Sequence, residues 1–164
     1  DVAAMRLRLP KVSDFSHLSI EILRDDKFLD DFRIHPGDEV RVLGFPYGYE
    51  ANNAGFPVLR SGRIASYPLT PTTNNPTLMI DFLVFRGNSG GPVYMSERRS
   101  MIQGALETVS IRGIIGLVSK EAKISESVVS LNEQSVRSYD LGLGIVVPSR
   151  FILETLELLP AYTP

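Results

Sequence analysis

The chain has 164 residues, 43% hydrophobic and 22% charged, enough for one domain of ordinary size with a buried core and too little for two. A formal net charge of −2 gives no general pull toward nucleic acid or anionic lipid, so neither nucleic acid nor membrane is an expected partner. The absence of cysteine excludes a disulfide scaffold and a thiolate metal site and leaves the compartment open.

No apolar run approaches the roughly 18 residues of a spanning helix, the longest being pieces such as "GIIGLV" and "GIVV". The chain opens on Asp1 rather than on a methionine, and its first residues, "DVAAMRLRL", carry no signal-like region and read as a cut end. Over residues 2–10, Ala3, Met5, Leu7 and Leu9 share one face and Arg6 and Arg8 the other, which predicts a half-buried strand with Asp1 on its apolar side. Residues 11–37 are charge-rich and read as a connector with one or two helical turns. The two-residue period returns over 38–45, 77–85, 90–95, 112–119 and 141–148, between turn clusters such as "HPGD" and "TPTTNNP". Short strands separated by turns predict an all-β antiparallel sandwich or barrel rather than a βαβ fold. Residues 120–140 read as a long polar exposed loop. After Pro148, Ser149 as N-cap, Ile152, Leu156 and Leu159 at helical spacing, and Pro160 as a stop predict one helix over 149–159.

Between two of these strand-like runs lies "FRGNSGGPVYM", Phe85 to Met95. A nucleophilic serine needs a sharp turn that exposes Oγ, backbone N–H groups aimed at one point, and a base within reach. The "GNSGG" loop supplies the first two: without Cβ atoms at Gly87, Gly90 and Gly91 it is free to take positive φ, and a carbonyl has access to the N–H groups of Gly87 and Ser89. A plain glycine turn between strands is the other reading. A phosphate cradle is not, because no Gly-Lys-Ser/Thr follows and no helix begins there.

"GNSGGPV" resembles the nucleophile loop of the trypsin-like (chymotrypsin-fold) serine peptidases, in the asparagine-bearing form common in bacterial trypsin-like and HtrA-type members. "DVAAMRL" resembles the segment with the triad aspartate, "GDEVRVLGFPYG" and "FPVLRSGRIAS" the first strands of the C-terminal barrel, "GLVS" the strand that pairs with the substrate backbone, and "GLGIVVPSRFILETL" the last strand and terminal helix. The resemblance implies an all-β chain with an antiparallel Greek-key β-barrel and a C-terminal α-helix. Residues 1–10 would end a mostly missing N-terminal barrel, 11–37 would connect, and 38–164 would form the C-terminal barrel. It implies Ser89 as nucleophile, Asp1 as the carboxylate that orients the histidine, and an oxyanion hole at Gly87, Asn88 and Ser89 formed by the N–H groups of Gly87 and Ser89. By family position Leu83, Val84, Ser119, Gly144, Ile145 and Val146 bind substrate, and their apolar or small character implies a medium apolar side chain at the cleavage site rather than Lys or Arg. The bland alternatives are a solvated terminal aspartate and plain core positions.

The family's histidine precedes the aspartate, and no such residue exists here. His17 and His35 both follow Asp1, one in the connector and one in the turn "RIHPGDE", and read as surface residues. The base is therefore expected outside this chain, and the chain alone is expected to be nearly inert. No metal or cofactor is expected, since Asp81 and Glu107 fall at no dyad or cluster spacing. The expected partners are a protein or peptide substrate and the missing barrel. A peptide-binding or scaffold domain that kept the barrel and lost the triad is the reading from a different class.

Overall fold

Strand β1 (Glu39–Gly44) shows why a barrel forms: Val40 and Val42 are fully buried, while Glu39, Arg41 and Leu43 face the other way. A computed structural model of the chain describes residues 2–7, 16–102, 106–130 and 133–160, apart from the side chains of 100–107 and 128–135. The remaining strands are β2 (Val58–Ile64), β3 (Leu78–Asp81), β4 (Pro92–Ile102), β5 (Leu106–Ser130) and β6 (Glu133–Pro148). They form a closed antiparallel barrel in the order β1-β2-β3-β6-β5-β4, sealed where Arg41 and Val42 pair with Tyr94 and Val93. Inward positions of all six strands, among them Leu78, Ile80, Met95, Ile111, Ile115 and Val146, fill the interior, and closure leaves the barrel wall without an edge.

Residues read as connector contribute to that core. Helix α1 (Asp26–Asp31) is capped by the Asp25 carboxylate, which accepts from Phe28 N–H at 3.1 Å, and it buries Phe28 and Leu29, followed by Ile34. Thr72, almost fully buried, donates through N–H and Oγ1 to Asp26 at 2.8 and 2.7 Å. Arg99 of β4 donates to Phe32 O at 3.2 Å and pairs with buried Asp38 at 2.9 Å. Burial pulls the Arg99 pKa down, but the hydrogen bond and charge of Asp38, with Glu97, outweigh it and leave it raised.

Other expectations need correction. Residues 2–7 join no strand, and Met5 and Leu7 on the face expected to be buried are exposed, because no described strand pairs with them; Asp1 and residues 8–10 lie outside the described residues. The run 77–85 is a strand only to Asp81. Beyond it Phe82 N–H turns to Gly142 O at 3.2 Å, although Phe82 and Val84 stay buried. Ser149 does not cap helix α2 (Ser149–Glu157) with its side chain; it is the first helical residue, fully buried, and its Oγ donates to Ile114 O at 2.7 Å.

The largest correction concerns 120–140. The described residues of this stretch, 120–130 and 133–140, continue β5 and β6 past the barrel as a two-stranded ribbon, with Lys123 opposite Asp140, Ile124 opposite Tyr139, and so on to Ser130 opposite Glu133. Its described side chains from Lys123 to Ser127 and Val136 to Asp140 are exposed on both faces, which is why no hydrophobic alternation marks it.

Candidate functional site

The loop that bears Ser89 connects β3 to β4, strands that are not neighbours, and therefore crosses one end of the barrel. Asn88 organises it from inside. The side chain is almost fully buried, its Oδ1 accepts from Phe85 N–H at 2.8 Å, its N–H donates to Phe85 O at 2.9 Å, and its carbonyl accepts from Gly91 N–H at 3.0 Å. The amide is wedged against β1, where a Cβ at Gly44 would meet Asn88 Nδ2 at 2.6 Å. Asn88→Ala would strip the Phe85 N–H of its partner and open a small void. An unfolding free energy lower by about 2 kcal/mol is expected in urea melts, and a change below about 0.5 kcal/mol would show that the side chain does not hold the loop.

The loop's outer side is bonded to its neighbours. The carbonyls of Arg86 and Gly87 accept from Tyr47 N–H at 2.6 Å and Phe45 N–H at 3.1 Å. Gly90 N–H donates to Val118 O at 2.7 Å, and Val118 N–H to Gly91 O at 2.9 Å. Gly87 takes φ +96°, and a Cβ there would lie 2.0 Å from Phe45 O, so only glycine fits. Two amides are left over: among the described residues neither Gly87 N–H nor Ser89 N–H donates a hydrogen bond. Asn88, counted in the oxyanion hole at the sequence level, has its own N–H turned inward.

Ser89 itself is exposed, and its Oγ donates to Ser119 O at 3.0 Å. Ser119 owes this position to a break in the β5–β6 register between Val118 and Lys120, which leaves it without a β6 partner. Neither histidine bonds to Ser89. His35 lies beyond the far end of β1 from the loop, about 20 Å along the strand, with Nδ1 at 3.1 Å from Pro36 O and 3.4 Å from Asp38 Oδ1. His17 is exposed in the connector.

The other substrate-binding positions divide by the two-residue period. Val84 and Val146 are core residues, and Gly144 faces inward, where a Cβ would meet Val84 at 3.0 Å. Ile145 and Ser119 line an open cleft of about 550 Å³ between β6 and α2, together with Lys120, Val147, Phe151 and, from the N-terminal segment, Val2. Asp1 is outside the described residues, but its neighbour Val2 thus borders the same cleft as Ser119. The Leu83 side chain is exposed, and its carbonyl accepts from Arg60 Nη1 at 2.8 Å.

Phe45 and Tyr47, aromatics of the turn that follows β1, supply the amides that hold the serine loop. Tyr47 stacks obliquely on Phe85 at 5.5 Å, and Arg60 lies over Phe82 and Phe85 at 4.4 and 5.0 Å. Their signal in the sequence is the "GFPYG" turn directly after a strand, which alone does not say what it contacts. Among the described residues no cluster of three or more His, Cys, Asp or Glu is placed to hold a metal, and no helix is long and apolar enough to cross a membrane.

Fold and site together define a closed antiparallel β-barrel that presents one exposed serine on a rigidly bonded glycine turn. No protein-family model, curated protein or solved structure matches this chain.

Proposed function

We propose that the chain is the nucleophile-bearing part of a trypsin-like serine endopeptidase that hydrolyses peptide bonds through a Ser89 acyl-enzyme. The observation that carries this reading is the pair of undonated amides, Gly87 N–H and Ser89 N–H, beside an exposed hydroxyl on a loop fixed from both sides. Donors already held in place cost nothing to reorganise when charge develops on a carbonyl oxygen. The strand order supports it as well: a β1-β2-β3 meander followed by a crossing to β4 on the far side of the barrel is what a Greek-key, chymotrypsin-type barrel requires.

In this reading a histidine from outside the chain takes the Ser89 Oγ proton as Oγ attacks the substrate carbonyl. The oxyanion is held by Gly87 and Ser89 N–H, the imidazolium protonates the leaving amine, and water then releases the acyl group by the same steps. Asp1 would orient the histidine. The apolar preference rests on Ile145 and Val147, which border the cleft. An apolar groove of about 330 Å³ lined by Leu18, Ile22, Leu43, Pro92, Tyr94 and Ile114 lies beside the loop and would seat part of the histidine-bearing partner. The test is fluorophosphonate labelling read by intact mass, on this chain alone and joined to a histidine-bearing upstream barrel. An adduct on the joined protein only is the expected result; no adduct on either would sink the proposal.

A peptide-binding domain that has lost the triad is favoured by one observation. The Ser89 hydroxyl donates its hydrogen bond to a backbone carbonyl, and no base among the described residues competes for it.

A further inference from the structure

Strand β6 changes partners along its length. From Val146 to Leu143 its outer edge is covered by β3, and Gly142 O then accepts from Phe82 N–H at 3.2 Å. From Leu141 back to Glu133 no described strand pairs with that edge, although β5 pairs with the opposite one between Asp140 and Glu133. The ribbon therefore has two open edges, and they differ in kind. Over 119–126 the β5 edge bears Lys120, Glu121, Lys123 and Glu126, and lysine on an edge is a common means of keeping other strands away. Over 136–141 the β6 edge has two charges, Arg137 and Asp140, with no lysine and no proline, and its apolar side chains Val136, Tyr139 and Leu141 are 69%, 48% and 45% exposed. An exposed strand edge of β-branched and aromatic residues is a template for another strand, and a two-stranded ribbon alone is marginal in water.

This edge also matches itself. Symmetric antiparallel pairing sets one residue directly opposite its own copy, and the bond at Gly142 O ends the free edge at Leu141. Centred on Arg137, the pairing opposes two arginines, which is destabilising. Centred on Tyr139, it covers only 137–141. Centred on Ser138, it runs over residues 135–141, about 23 Å of strand, with serine opposite serine and Arg137 of each copy opposite Tyr139 of the other. Within each ribbon Glu126 already stands opposite Arg137 and Ile124 opposite Tyr139. The joined sheet thus has two rows that cross all four strands in the sequence Glu126, Arg137, Tyr139, Ile124: opposite charges side by side, a cation against an aromatic ring, and that ring against an aliphatic side chain.

We propose that two copies of the chain associate through this edge, β6 against β6, into one four-stranded antiparallel sheet in the order β5-β6-β6-β5 with its two-fold axis at Ser138. Both β5 edges stay open on the outside, so the association does not compete for the strand that carries Ser119. The inference goes beyond the peptidase reading and does not rest on it, because neither Ser89 nor its loop takes part.

The chain has no cysteine, so single cysteines placed in it report the register. Ser138 and Ser125 are both exposed and stand opposite each other in the ribbon. In the full chain under mild oxidation, Ser138→Cys is expected to give a disulfide-linked dimer by intact mass, because directly opposed residues of an antiparallel pair have Cα atoms about 4.5–5.5 Å apart, within disulfide range. Ser125→Cys should not cross-link, since three strand spacings, about 14 Å, separate the two copies. Sedimentation of the cysteine-free chain should show the mass doubling with concentration, and hydrogen exchange should show protection of 135–141 that grows in parallel while 119–127 stays unchanged. Tyr139→Arg, which sets a second arginine against Arg137, should raise the dissociation constant about tenfold or more. None of these residues belongs to the core, so the thermal midpoints of the variants should match that of the parent chain. The mass of a single chain even at about 1 mM, equal cross-linking at both cysteines, or protection along 119–127 instead would overturn the proposal. So would a dimer that Tyr139→Arg leaves intact, which would place the contact elsewhere, such as the apolar groove at Leu43 and Tyr94.

Discussion

Ser89→Ala, in the chain joined to its histidine-bearing partner, is expected to lower kcat/KM for a peptide substrate by about 10⁴-fold or more and to leave stability within about 0.5 kcal/mol. The asymmetry follows from where the side chain sits. Ser89 is exposed, and its single hydrogen bond, to Ser119 O at 3.0 Å, is one that water can replace once the hydroxyl is gone. Nothing in the core rests on it, whereas in the proposed chemistry it forms the covalent bond. Peptide hydrolysis and urea unfolding of the same preparation measure both quantities. Retained hydrolysis would assign the activity to another group, and a loss of stability above about 2 kcal/mol would make the serine a structural turn residue.

Gly87→Ala is expected to do the opposite to stability. The residue has φ +96°, which costs an L side chain about 1–2 kcal/mol, and its Cβ would lie 2.0 Å from Phe45 O, a backbone atom held by a barrel strand and its turn. The loop has to pull away from Phe45 and Tyr47, giving up the bonds that Gly87 O and Arg86 O accept at 3.1 and 2.6 Å. A loss of about 3 kcal/mol is expected in urea melts. In the joined protein, turnover should also fall by about 10²–10³-fold as one oxyanion donor moves out of line, even at temperatures where the variant is folded. Unchanged stability would mean that the 85–91 loop has slack, and unchanged turnover in a folded variant that Gly87 N–H does not face the developing charge.

The double-duty role of this loop explains which parts of the site could be read in advance. "GNSGG" fixes locally that a sharp turn stands between two strands, since glycine's freedom at positive φ is a property of the residue alone. That Asn88 points inward, and so leaves the amides on either side of it undonated, depends on Phe85 and on β1 packing against it. No short window contains that information. The substrate positions show the same limit: "GIVV" is apolar throughout, and only the closed barrel sends Gly144 and Val146 inward and leaves Ile145 on the cleft.

By itself the sequence determined the strand alternation of the barrel wall, the exposed serine turn and the terminal helix, because each is encoded in the period or turn chemistry of a few consecutive residues. Three matters were decided by tertiary structure alone. Phe28, Leu29 and Ile34 of a charged connector became core because Asp26 ties α1 to Thr72 across the chain. Residues 2–7, patterned as a strand, found no described strand to pair with. The described residues of the polar stretch 120–140 became a ribbon because cross-strand hydrogen bonds, which no hydrophobic pattern reports, join two separate segments of the chain.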